Sequence, residues 1–239
     1  MNASLSRKVE ALERLLAGVA LEHAPAALAS SLSAEDMVIS DAVLRGKLGI
    51  EIFTLDTGRL HADTLNVVAA IRERYGRDVK VFQPDPAAVA EYVASFGRDA
   101  FYESPELRKR CCRIRKVEPL ERALAGKKAW ITGQRREQAS TRAGLEVREH
   151  DAARGLAKFN PLADWSESEV WEYVRSYDVP YNALYDQGYR SIGCAPCTRP
   201  TVAGEDVRAG RWWWELRDAR ECGLHVAPDG RLVRARETA

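Results

Sequence analysis

The chain has 239 residues, 46% of them hydrophobic and 30% charged, the composition of an ordinary water-soluble domain with room for one sizeable α/β core. The formal net charge is only +1, which gives no global electrostatic case for a nucleic-acid or membrane partner. Any anionic ligand is therefore expected to be held by local clusters of Arg and Lys.

The N-terminal stretch, residues 1–26, is read as a helical segment. Val9, Leu12, Leu15, Leu16 and Val19 fall at helical spacing, as in a helix lying on the surface. Glu10 and Glu13 interrupt its apolar character, so it is not a secretory signal. No window approaches a membrane span, and a cytoplasmic location is expected.

Strand and helix patterns then alternate. Residues 27–32 read as a short strand and 34–47 as a helix. Residues 50–55 (IEIFTL) read as a buried strand and 60–75 as a helix. Strand 79–82, helix 86–96 and strand 128–132 follow, with 156–160 as a fifth strand at the sheet edge. Such alternation predicts right-handed crossovers and a mostly parallel sheet covered on both faces. Ser166 followed by Glu169 is a capping box, opening a helix with Val170, Trp171 and Val174 as its apolar stripe. From about residue 181 the periodicity fades into a glycine- and proline-rich stretch. The body is taken as 27–200, a nucleotide-binding and metal-carrying α/β unit, and 201–239 as a flexible C-terminal segment.

Ligands of open parallel sheets sit beyond the C-terminal strand ends. Three polar segments leave predicted strands at that edge: Ser30-Ser-Leu-Ser-Ala-Glu-Asp36, Leu55-Asp-Thr-Gly-Arg59 and Thr132-Gly-Gln-Arg-Arg-Glu-Gln138. Together they are expected to line one nucleotide crevice.

The five cysteines are Cys111, Cys112, Cys194, Cys197 and Cys222. An odd number argues against a disulfide framework. The spaced pair Cys194-Ala-Pro-Cys197 suits either zinc or an iron–sulfur cluster. The adjacent pair Cys111-Cys112 is easier to place on the separate iron corners of a cluster than on one small tetrahedral ion. It also reads as two small core residues if taken alone. Lys116, four residues after Cys112, would share its face on a helix and could offset cluster charge or touch an anionic substrate; a solvated lysine fits the spacing equally well.

Cys222 stands alone in Glu221-Cys-Gly-Leu-His225. Arg217, Arg220 and His225 can lower its pKa, and Gly223 gives backbone freedom beside it. It reads either as a buried tail cysteine or as a thiolate nucleophile on a mobile arm. Upstream, Arg208-Ala-Gly-Arg-Trp-Trp-Trp-Glu215 places three consecutive tryptophans that cannot all face one core, flanked by arginines suited to phosphate or sulfate oxygens.

These segments, with Cys111-Cys-Arg-Ile-Arg-Lys116 and Gly193-Cys-Ala-Pro-Cys-Thr198, resemble the adenylyl-sulfate/phosphoadenylyl-sulfate reductases of sulfate assimilation over residues 28 to 226. Ser33 departs from the many relatives that have Gly in the first loop. The resemblance implies an adenine-nucleotide α-hydrolase-like (Rossmann-like) α/β fold. It implies one 4Fe–4S cluster on Cys111, Cys112, Cys194 and Cys197, and the non-phosphorylated nucleotide adenylyl sulfate as substrate, because members lacking the four cysteines use the 3′-phosphorylated analogue. It implies Cys222 as the nucleophile that becomes an S-sulfocysteine, and a thioredoxin-like dithiol as reductant. The expected substrate-binding set is Ser30, Ser31, Ser33, Asp56, Thr57, Gly58, Arg59, Lys116, Gly133, Arg135, Arg136, Arg199, Arg208, Arg211 and His225. A homo-oligomer stays open. The competing readings are a 3′-phosphoadenylyl-sulfate reductase, a nucleotide-binding sensor with structural zinc, and an ATP pyrophosphatase of the same fold group, whose first loop is richer in glycine.

Overall fold

A computed structural model of the protein describes residues 3–139 and 142–215. Helix α1 (Ala3–Glu22) opens the chain and strand β1 (Ala26–Ala29) follows it. Then come α2 (Ala34–Arg45), β2 (Ile50–Leu55), α3 (Ala62–Tyr75), β3 (Lys80–Phe82) and α4 (Pro86–Phe96). After α5 (Pro105–Cys112), a π-helical turn (Arg113–Val117) and α6 (Glu118–Leu124) come β4 (Ala129–Ile131), β5 (Arg148–Asp151), β6 (Leu156–Phe159) and α7 (Glu167–Ser176).

The six strands order as β3-β2-β1-β4-β6-β5. All neighbours pair in parallel except β5, which runs antiparallel to β6. The chain winds outward from β1 to β3, returns, and continues on the other side of β1 through β4. The β1/β4 junction is thus the point where strand order reverses, and crevices for nucleotides form there.

Helices cover both faces because the strands are apolar on both sides. Ala26 and Leu28 of β1 face a large core that also takes in α1, α2 and α7, whereas Ala27 faces a smaller core with Phe53, Leu120, Ala123, Leu124 and Trp130. This is the two-residue alternation of a strand.

Three expectations need correction. The stripe Leu5, Val9, Leu12, Leu16, Val19 of α1 is buried in the main core, so this helix completes the body rather than lying on it. Strand β6 is interior; the edge is β5, whose Arg-Glu-His-Asp sequence carries no apolar pattern because an edge strand needs none. Residues 201–215, assigned to the flexible tail, are fastened to the body: Thr198 bridges Arg211, and Trp212 is buried.

Candidate active site

The loop after β1 (residues 30–33) has an unusual backbone. Leu32 is buried and takes a left-handed conformation, φ 63°, uncommon for a bulky residue. Its amide is hydrogen-bonded to Ser30 Oγ at 3.2 Å. Asp36, in the first turn of α2, fastens this loop to the one after β4. Its Oδ2 accepts from the Ser31 amide and hydroxyl, both at 2.6 Å, and its Oδ1 accepts from the Gly133 amide at 2.9 Å. A Cβ at Gly133 would collide with Asp36, so glycine is required there for close approach. Burial pushes the Asp36 carboxyl up to about 6, against the pull of its Ser31 and Gly133 hydrogen bonds.

These loops wall a cavity of about 250 Å³ over the β1/β4 junction. Of the sequence-selected residues, Ser30, Ser31, Ser33, Thr57, Lys116, Gly133, Arg135, Arg208 and Arg211 line it. Asp56, Gly58, Arg59, Arg136 and Arg199 are not among its lining. Arg135 lines the wall but is already engaged. Its Nε and Nη2 donate to Glu35 Oε1 at 3.0 and 2.9 Å and its Nη1 to Glu137 at 2.8 Å, with the side chain 3% exposed. Arg136 pairs with Asp164 and donates to the Leu145 carbonyl. Arg199 forms a two-pronged pair with Glu205 at 2.8 and 3.1 Å, which lowers the Glu205 carboxyl to about 2. Asp36 lines it too, as the segment 30–36 was expected to, whereas Arg142, Arg190, Trp171 and Tyr185 are lining residues that the sequence reading missed. Tyr185 Oη accepts from the Ala34 amide at 3.0 Å, a contact spanning 151 positions that no local pattern announces.

Cys111, Cys112, Cys194 and Cys197 line one second cavity with Arg59, Arg108, Arg115 and Lys116. Among the described residues no group of three or more His, Cys, Asp or Glu is gathered to hold a metal ion; the four cysteines stand around this cavity instead. All four are free thiols. Burial raises the thiol pKa of Cys111, and that of Cys197 to about 12, so metal loading here must displace protons.

The Asp-Thr-Gly-Arg loop reaches both cavities, Thr57 lining the first and Arg59 the second. Thr57 Oγ1 lies 3.2 Å from Cys194 Sγ, and the Thr57 carbonyl accepts from Arg115 Nη1 at 2.7 Å. Arg59 lends its carbonyl to the Ala195 amide at 2.8 Å and its guanidinium to Asp99 at 2.6 Å. Asp56 fixes the turn by accepting from the Gly58 amide at 2.9 Å, where Gly58 has φ 68°. Lys116 follows Cys112 through the π-helical turn instead of the α-helix the spacing suggested; such turns recur at functional sites. Lys116 is the lysine shared by both cavities among the described residues.

Two nominated residues, Cys222 and His225, lie outside the described residues.

Residues 25–200 match the family model described as "Phosphoadenosine phosphosulfate reductase domain". A Burkholderia cepacia protein named adenosine 5′-phosphosulfate reductase is 57% identical over 226 residues, 95% of this chain and 90% of that one. A Neisseria meningitidis protein of the same name is 56% identical over 223 residues, 93% and 91% of the two chains. A crystal structure of phosphoadenylyl-sulfate reductase from Candida auris in a phosphate complex superposes with a TM-score of 0.69 at 24% identity, covering 83% of this chain and 98% of that one. The fold is thus the mostly parallel α/β architecture of that structure, and the chain belongs to the phosphoadenosine phosphosulfate reductase family.

Proposed function

We propose that the protein reduces adenylyl sulfate to sulfite and AMP in sulfate assimilation, in the cytoplasm, where thiols stay reduced. The observation that carries this is the sharing of Lys116 between a nucleotide-sized cavity and a four-thiol cavity. A cation at that boundary can serve an anionic substrate end and an anionic metal site at once. The two close relatives carry the name of this activity.

The donor set fits a 4Fe–4S cluster. Four thiols line one cavity, with the cations of Arg108, Arg115 and Lys116 beside them to balance thiolate charge. Cys111, Cys112, Cys194 and Cys197 would hold it. When bound, it would supply local structure and electrostatics, because the electrons come from thiols.

The remaining chemistry belongs to this chain's residues. The adenosine would lie over the β1/β4 junction, with the phosphosulfate toward Lys116, Arg208 and Arg211. Clustered cations reduce the repulsion between an anionic sulfonyl group and an approaching thiolate, and hold the sulfur in line. The Cys222 thiolate attacks the sulfur; an S–S bond forms, the S–O bond to phosphate breaks, and AMP leaves with that electron pair. One thiolate of a thioredoxin-like dithiol then attacks Cys222 Sγ, and sulfite leaves with the electron pair of the broken S–S bond. The second thiol of the reductant resolves the mixed disulfide, so the dithiol is oxidised and Cys222 is regenerated.

The test is intact mass after anaerobic incubation with adenylyl sulfate and no thiol. An SO₃ adduct mapped to Cys222, absent from Cys222→Ser with its iron and sulfide retained, is the expected result. Turnover by Cys222→Ser, or an adduct formed only from the 3′-phosphorylated nucleotide, would overturn the assignment.

A further inference from the structure

Beyond the charge it sets beside the thiols, Arg108 takes no part in the transfer steps above, yet it stands between the four-cysteine cavity and the turn that ends at Glu215. Its side chain is fully buried on α5, one helical turn before Cys112, and its guanidinium is hydrogen-bonded to the Cys112 thiol. The same guanidinium donates from Nε to Glu215 Oε1 at 2.5 Å, where the Glu215 side chain is 4% exposed. It also lies over the Trp212 ring, 4.6 Å from the centroid. The turn 212–215 is held from a second side, because the Trp212 amide donates to the Cys197 carbonyl at 3.1 Å. This turn therefore meets one cysteine pair directly, at Cys197, and the other through Arg108, at Cys112.

Glu215 is seven residues before Cys222, and seven residues span at most about 25 Å. The position of the turn thus bounds where the thiolate can be delivered. A guanidinium carries five donors in a rigid fork, so one side chain can hold two acceptors in fixed relation. A metal-bound thiolate is a stronger acceptor than a thiol, since charge-assisted hydrogen bonds are the stronger ones.

We propose that Arg108 is a positioning residue which, by holding Cys112 and Glu215 together, makes the root of the Cys222-bearing segment depend on an intact four-cysteine site. The proposal rests on reading those cysteines as cluster ligands. It gives a site that transfers no electrons a way to govern catalysis: loading fixes where the nucleophile starts from.

The test uses full-length enzyme, purified anaerobically, with Glu215→Gln and Arg108→Lys. Four quantities are read: iron and sulfide per chain, the Kd for AMP, amide hydrogen exchange in segment 211–215, and the single-turnover rate of Cys222 sulfonation. Glu215→Gln is expected to keep its iron, sulfide and AMP affinity, while exchange in 211–215 rises roughly tenfold and sulfonation falls by a similar factor. Chelator-stripped wild type is expected to show the same faster exchange. Arg108→Lys, read in the same way, decides the matter if Glu215→Gln does not fold. Wild-type exchange or wild-type sulfonation in the variant overturns the proposal, as does loss of iron from Glu215→Gln, which would make Glu215 a support of the cluster. Wild type without iron would overturn the cluster reading instead, and the exchange difference between wild type and variant would still decide the tether.

Discussion

Gly193 and Arg211 are in a contact that only glycine permits: a Cβ at position 193 would stand 2.6 Å from Arg211 Nη2 and 2.7 Å from its Cζ. Arg211 is buried, lines the nucleotide cavity, and rests over the Trp212 ring at 4.7 Å. Gly193→Ala should push the guanidinium out of place. A charge-assisted hydrogen bond is worth about 1.5–3 kcal/mol, roughly a ten- to hundredfold loss of affinity. The expected pattern is a raised KM for adenylyl sulfate with the Kd for AMP little changed, as fits a cation on the sulfate end. Equal losses for both nucleotides would move Arg211 to the phosphate.

Arg135 illustrates why arginines cannot be ranked from sequence. The motif Thr132-Gly-Gln-Arg-Arg-Glu-Gln138 nominates Arg135 and Arg136 alike as anion holders, and the structure commits the first to Glu35 and Glu137 and the second to Asp164. Breaking a buried pair from one side costs about 3–5 kcal/mol. Arg135→Ala should therefore lower the urea midpoint of the nucleotide-free protein by a large fraction of its total stability. A nucleotide-free variant as stable as wild type would free Arg135 for the phosphosulfate.

Thr57 tests the second cavity. Thr57→Val keeps the shape of the side chain while removing the hydroxyl 3.2 Å from Cys194 Sγ, which also accepts the Arg59 amide at 3.2 Å. One such bond contributes about 1 kcal/mol, or roughly fivefold in an equilibrium. On the proposal that the four thiols hold an iron–sulfur cluster, iron should be released to a chelator faster from the variant than from wild type by about that factor. Equal release rates would leave Thr57 with its place in the turn and in the nucleotide cavity wall and no part in holding the cysteines.

What could be read in advance follows from the range of the interactions. The interior strands were legible because hydrophobic runs such as Ile50–Leu55 announce themselves locally. Strand β5 was not, since an edge strand of Arg-Glu-His-Asp draws its pairing from β6 and leaves no pattern of its own. The cysteines stood out because thiols at those spacings have few alternative uses, and all four do reach one cavity. The Asp-Thr-Gly-Arg loop was assigned to the nucleotide; Thr57 does line that cavity, but Asp56 and Gly58 shape the turn itself and Arg59 meets Ala195 and Asp99. Loop and cysteine are 137 positions apart at the Thr57–Cys194 contact, and sequence adjacency to a strand end says nothing about which neighbour the loop will find.

Asp36 carries a pH prediction with a definite sign. Its carboxyl sits near 6 in the folded protein against an ordinary value of 3.8, chiefly because burial disfavours the charged form. Between those two values this group binds more protons in the folded state than in the unfolded one, so its contribution to stability must fall as pH rises through this window and level off above about 6. A shift of about two units corresponds to roughly 3 kcal/mol at most. In Asp36→Asn the group does not titrate, while one side-chain oxygen remains to accept from the Gly133 amide. The difference in unfolding free energy, wild type minus variant, should therefore decline between about pH 4.5 and pH 6 and stay flat from there to pH 8. Urea titrations of both proteins at half-unit steps would measure it. A difference that rises with pH would mean that the Ser31 and Gly133 hydrogen bonds outweigh desolvation and hold Asp36 ionised, as a fixed anion tying the two loops together.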